Sequence, residues 1–129
     1  MGSLKGYSLA KANLQALTTA LSSDDALAVF QGAAEMVAER ARELAPVDEL
    51  HHDDKEPHLR DTIEVRAYMK GRAPAAIVAV RSGHAFIIEY GGHRQAAQPY
   101  IRPAIDELKD AIASQVADGL KAVVEGAVK

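Results

Sequence analysis

Four consecutive residues, His51, His52, Asp53 and Asp54, combine the imidazole and carboxylate groups that bind zinc or a non-haem metal. His58 offers one more ligand. A metal centre needs ligands that converge from different directions, whereas neighbours in a loop diverge. Asp53 and Asp54 also lack a flanking apolar pocket that would raise one carboxyl pKa for acid–base work. The reading is a solvated loop, with a small metal-dependent hydrolase using His51-His52-Asp53-Asp54 kept as an alternative. Ser82-Gly83-His84 sets a serine beside a histidine, but adjacency is not triad geometry, and the chain has no Gly-x-Ser-x-Gly elbow. Gly91-Gly92-His93-Arg94 lacks the Gly-Lys-Ser/Thr of a phosphate loop. His84 and His93 read as surface or hydrogen-bonded histidines. No catalytic residue, no cofactor and no metal is expected.

Glu89 is different. It stands between Ile88 and Tyr90 in an apolar stretch, so any fold that half-buries it must supply a partner. Arg102 and Arg94 are the candidates, and the expected product is an ion pair fixing this segment onto the last helix.

The elements that position these groups follow from periodicity. Leu14, Leu17 and Leu21 have helical spacing within Leu9–Leu21. Ser22-Ser23-Asp24-Asp25 supplies cap residues and first-turn acids for a second helix. Along it Leu27, Phe30, Ala34, Val37, Ala41 and Leu44 recur at steps of three or four, and its charges solvate the outer face. Pro46 stops it. Val47–His58 has no period and reads as an exposed loop. The period then becomes two. Ile63, Val65, Ala67 and Met69 alternate with Thr62, Glu64, Arg66 and Tyr68, a strand with one wet face. Lys70-Gly71-Arg72 turns the chain into Ala75–Val80, which is apolar on both faces and reads as a central strand of an antiparallel hairpin. Phe86–Tyr90 fits a short strand or a helical turn. Pro103 suits a first helical turn, and Ile105, Leu108, Ile112, Val116 and Leu120 form the stripe of a last helix weakened at Gly119. The expected fold class is α+β. N-terminal helices and one C-terminal helix pack on one face of a small antiparallel sheet built on a central β-hairpin.

Composition bounds the rest. The 129 residues suit a single domain over 1–129, with a flexible N-terminus at 1–8 and an exposed insertion at 48–58. Cysteine is absent, which excludes disulfides and thiolate catalysis. Fifteen basic against 18 acidic residues, with no basic run, speaks against a protein that grips nucleic acid through phosphates. No stretch reaches the 18 apolar residues of a membrane span. Aromatics are 5% and alanine is the commonest residue, so the core is built of small side chains across which helices approach closely.

Three pieces in order carry a resemblance: Glu43-Leu44-Ala45-Pro46-Val47-Asp48, then Leu59-Arg60-Asp61-Thr62-Ile63, then Phe86-Ile87-Ile88-Glu89-Tyr90-Gly91 followed by Gln98-Pro99-Tyr100-Ile101-Arg102-Pro103-Ala104. Together they resemble the small head–tail joining proteins of long-tailed siphovirus-type bacteriophages and prophages, the neck, tail-completion or minor tail component proteins. The resemblance runs from about Ala26 to Leu120, and it rests on the order and spacing of the motifs. Departures are the missing Thr-Gly after Asp48, the insertion Glu49–His58, His84-Ala85 in place of Tyr-Ala, and Gly92 in place of Thr.

The resemblance implies a structural virion protein with no catalysis, assembled in the bacterial host cytoplasm and resident at the head–tail junction of the virion. It implies a ring of identical copies, usually six-fold, between a head-closure (adaptor) protein and a tail terminator or tail-tube protein. DNA passes through the lumen without specific binding, and no membrane is involved. The net charge of −3 suits such a lumen, because anionic walls repel phosphate. The expected structural and interface residues are Pro46, Leu59, Arg60, Glu89, Tyr90, Gly91, Gln98, Pro99, Arg102 and Pro103. The insertion is expected to order on a neighbouring ring. A cytosolic homo-oligomeric adaptor module of the same topology is the other alternative.

Overall fold

The computed structural model describes residues 2–46 and 58–127. His51 to Asp54, and the insertion as far as residue 57, lie outside the described residues. Helix α1 spans Gly2–Leu21. It starts seven residues before the apolar spacing begins, so its first turns lie in the N-terminal segment. Lys5, Leu9, Ala10, Lys11 and Ala12 are good helix formers, and no Pro interrupts the run. The helix continues because propagation costs less than nucleation.

Helix α2 spans Asp24–Leu44. Ser23 caps it, its Oγ accepting the Ala26 N–H at 3.3 Å, and Asp24 and Asp25 complement the positive end of the helix dipole. At the other end Ala45 is extended, at φ −62° and ψ 129°, as a residue before proline must be. The buried face is almost all alanine: Ala26, Ala33, Ala38 and Ala41, with Val37.

A 3₁₀ turn at Leu59–Thr62 leads into β1 (Ile63–Lys70), which pairs antiparallel with β2 (Ala73–Val80). The register runs from Ile63 opposite Val80 to Lys70 opposite Ala73. The two-residue loop Gly71-Arg72 has positive φ only at Gly71 (66°), as a type II′ hairpin turn requires. Among the described residues the sheet has two strands. The expectation that β2 is central is therefore corrected: β2 is an edge. Its apolar outer positions are mostly alanines, Ala73, Ala75 and Ala79, which a wet face tolerates.

After the six-residue α3 (Ala85–Tyr90) comes the long α4 (Ile101–Ala127). α2 touches both strands on one side and α4 on the other, and α1 packs mainly on α4. The fold is α+β, with the helices on one face of a small antiparallel sheet. One core cluster joins Val37, Ala38, Ala41 and Ala45 of α2 and its end, Ile63 of β1, and Tyr100 and Ala104 at the start of α4. Gly119 does not end α4. It admits α2, since a Cβ there would lie 2.7 and 2.9 Å from the two Val29 methyls. The phase of α4 also differs from expectation at its start, where Ala104 is fully buried and Ile105 is 45% exposed. No helix among the described residues is long and apolar enough to cross a membrane.

Candidate functional site

The most constrained polar group is the Glu89 carboxylate, and the local sequence explains how it is held. α3 closes at Gly91, whose φ of 84° with ψ of 168° is a conformation open essentially to glycine alone. A Cβ at Gly91 would also meet the Ala97 nitrogen at 3.0 Å. The Gly91 N–H donates to the Ile87 carbonyl at 2.7 Å, and a narrow loop then folds back. Gly92 and Gln95 form an isolated bridge, and the Gln98 N–H donates to the Ile88 carbonyl at 2.8 Å. This return sets the first residues of α4 against Glu89.

The first N–H groups of a helix lack partners within it. For α4 these belong to Tyr100, Ile101 and Arg102, and the next residue, Pro103, has none. Glu89 Oε2 accepts the N–H of Tyr100 at 2.8 Å and of Ile101 at 3.0 Å, and Oε1 accepts that of Arg102 at 2.9 Å. A carboxylate from another helix thus caps α4 completely and places negative charge at its positive end. Arg102 returns across the junction. Its Nε donates to Glu89 Oε1 at 3.1 Å and its Nη2 to the Glu89 carbonyl at 2.9 Å. Its guanidinium lies 4.5 Å from the Tyr90 ring centre, and that ring meets Phe86 at 4.8 Å.

Glu89 is only 5% exposed. Burial pushes its carboxyl pKa up, but the N–H groups of Tyr100, Arg102 and Ile101, with the Arg102 side chain, outweigh burial and hold it below the usual range. Tyr100, buried beside it, is raised by burial and then by the Glu89 charge. With four donors on its two oxygens, the carboxylate has its acceptor sites filled. The arrangement is built to fix a junction, not to accept a proton from a substrate.

The other expected residues fall around this junction or apart from it. Pro46 follows Ala45 of the core cluster. Leu59 packs against that cluster from the 3₁₀ turn, beside exposed Arg60. Ile88 and Ile101 pack there too. All three motif pieces therefore contribute to one core. Gln98 and Pro99 are exposed where the loop enters α4, and Arg94 is exposed within the loop while Arg102 takes the Glu89 pairing. Ser82 Oγ accepts the His84 backbone N–H at 3.2 Å, so this pair makes a turn contact and not a nucleophile–base contact.

Several polar contacts have no sequence counterpart. Arg40 bridges α2 and α4 by pairing with Glu43 at 2.8 Å and Glu107 at 3.0 Å, where the helix charges were expected only to solvate a face. Arg42 Nη2 donates to the Ile63 carbonyl at 2.8 Å and ties α2 to β1. Glu64 is held low by Arg66, against desolvation, with Arg81 helping. The alternation on β1 puts Glu64 and Arg66 on one face but does not announce their pairing. Arg40 and Glu107 stand 67 residues apart, and no local pattern announces them.

Among the described residues, the large apolar side chains left outside the core fall in three groups. Tyr7, Leu9, Leu14 and Leu21 lie on α1, Tyr68 and Ile77 on the outer face of the sheet, and Phe86, Ile87, Tyr90 and Ile105 around the Glu89 junction. No protein-family model, curated protein or solved structure matches the chain.

Proposed function

We propose that this chain is a structural virion protein of a phage neck, a ring component that joins the DNA-filled head to the tail and performs no catalysis. The observation that carries the reading is the convergence of the motif pieces. Ala45, Leu59 with Ile63, Ile88, and Tyr100 with Ala104 meet in one core cluster, so the ordered segments behind the resemblance form one structural unit. The Glu89 junction within that unit supports an interface role. α3 packs Ile88 on the core and buries its acid, but leaves three large apolar residues outside, Phe86 at 71% exposure, Tyr90 at 55% and Ile87 at 42%, a poor arrangement for a helix of a solitary domain. A rigidly mounted apolar surface of this kind suits repeated contact with a neighbouring subunit or ring. Head-closure and tail-tube components are the partners, DNA passes through the lumen, and the site of action is the head–tail junction.

Gold labelling of the chain in purified particles tests the assignment. Label concentrated at the junction of head and tail is expected. Particles that carry no label, or carry it only on the capsid surface, would overturn the reading.

A further inference from the structure

The two-stranded sheet leaves both of its long edges open among the described residues. In an antiparallel pair, residues that exchange backbone hydrogen bonds alternate with residues whose N–H and C=O point away. The Arg81 N–H donates to the Thr62 carbonyl at 3.0 Å, so residues 62 and 81 are an exchanging pair. Following the register, so are 64 with 79, 66 with 77, 68 with 75, and 70 with 73. The outward groups are then those of Ala76, Val78 and Val80 on β2, with Pro74 lacking an N–H. On β1 they are those of Val65, Ala67 and Met69, the Ile63 carbonyl being taken by Arg42. No described residue outside the hairpin bonds to these outward groups.

Over Ala73–Val80 the edge strand carries no charged side chain, and Pro74 guards only the end nearest the turn. An apolar, uncharged edge of this length is a template for another strand.

We propose that the β2 edge pairs, antiparallel, with the β1 edge of a second copy of this chain, Ala76, Val78 and Val80 opposite Met69, Ala67 and Val65 of the next copy. This register uses all three free residues on each edge. It also sets Ile77 opposite Tyr68 of the next copy. These are the two large apolar residues left exposed on the outer face of the sheet, 42% and 43% exposed, and an aromatic–β-branched pair is a favourable cross-strand neighbour. Within one chain they miss each other, Ile77 facing Arg66 and Tyr68 facing Ala75. No like charges are opposed, because Arg66 and Lys70 of the next copy meet Ala79 and Ala75. A symmetric pairing of β2 with β2 would leave both β1 edges open and Tyr68 uncovered. The contact is heterologous, so each copy gives one edge and receives on the other, and a rotation that closes makes a ring. Only that closure rests on the neck reading; the strand pairing does not.

The chain has no cysteine, so introduced thiols report without background. Residues 77 and 68 would form a non-hydrogen-bonded pair with Cα atoms about 4.5 Å apart, within disulfide reach. Ile77→Cys and Tyr68→Cys chains, distinguished by tags, are co-expressed and oxidised, and each is also oxidised alone. A disulfide joining the two tagged chains, absent from either variant alone, is expected. Its absence overturns the pairing, and so does Ile77→Cys linking to itself, which would mark β2–β2 contact. As a second readout, Ile77→Lys guards the edge with charge. Light scattering is expected to show loss of the oligomer with the helical circular dichroism kept, and an unchanged mass overturns the proposal. If gold label is absent from the neck but the mixed disulfide forms, the neck reading fails and the pairing stands.

Discussion

Glu89 carries opposing demands. Its burial disfavours charge, and three backbone N–H groups with Arg102 restore it. Because the folded-state pKa is lowered, the carboxylate stabilises the fold above the unfolded value, about 4.3. That contribution is lost as pH falls through the lowered value. Acid unfolding of the wild type should therefore show a step below about pH 4 that Glu89→Gln lacks. The variant should lose about 1–3 kcal/mol at neutral pH, since buried donors are left poorly paired. Arg102 is 51% exposed in its side chain, so its ion pair is screened and contributes about 1 kcal/mol or less. Urea titrations of Glu89→Gln, Arg102→Gln and the double variant test this ranking. A larger loss at Arg102, or additive effects, would contradict the junction as described. Glu89 was legible from the sequence because an acid in an apolar run demands partners. That backbone donors of a helix 11 residues away would supply most of them was not, because capping by another element leaves no local pattern.

At the scale of elements, alternation and caps transferred well and packing phase did not. The alternation of β1, the Ser23 cap and the stop at Pro46 are local chemistry, and each appears in the structure. The phase of α4 is set by the Glu89 junction, which turns Ala104 inward and Ile105 outward. Leu14, read as part of an apolar stripe, is 63% exposed because α1 meets its neighbours through Ala20 and the half-buried residues near it. Apolar residues on both faces of β2 predict a central strand, but several of them are alanines, and alanine is uninformative about burial. Gly119, read as a weak point, is a close approach of α2 to α4. Gly119→Ala should cost stability despite better helix propensity, because Val29 is stiff at χ1 and its methyls occupy the space. A loss of about 1–3 kcal/mol is expected, with partial recovery on adding Val29→Ala. Thermal melts that show Gly119→Ala stabilised would mean the helices separate freely there.

For the whole molecule, the core and the exposed large apolar side chains are segregated. The core is mostly alanine with Val37, Ile63 and Tyr100, and many of the larger apolar side chains remain outside it. Under the neck reading proposed above, these exposed side chains are where subunits meet. Phe86→Ser, at a position 71% exposed, should leave the melting temperature nearly unchanged while abolishing head–tail joining in a complementation assay. A variant that joins normally would remove this patch from the proposed interface.

The most direct test of the proposed neck role is to delete the gene from the phage or prophage genome that the proposal assigns it to and image the lysate by electron microscopy. Separate DNA-filled heads and complete free tails, converted into infectious particles by adding the purified protein, are the predicted result. Intact infectious virions without the gene product would contradict the account.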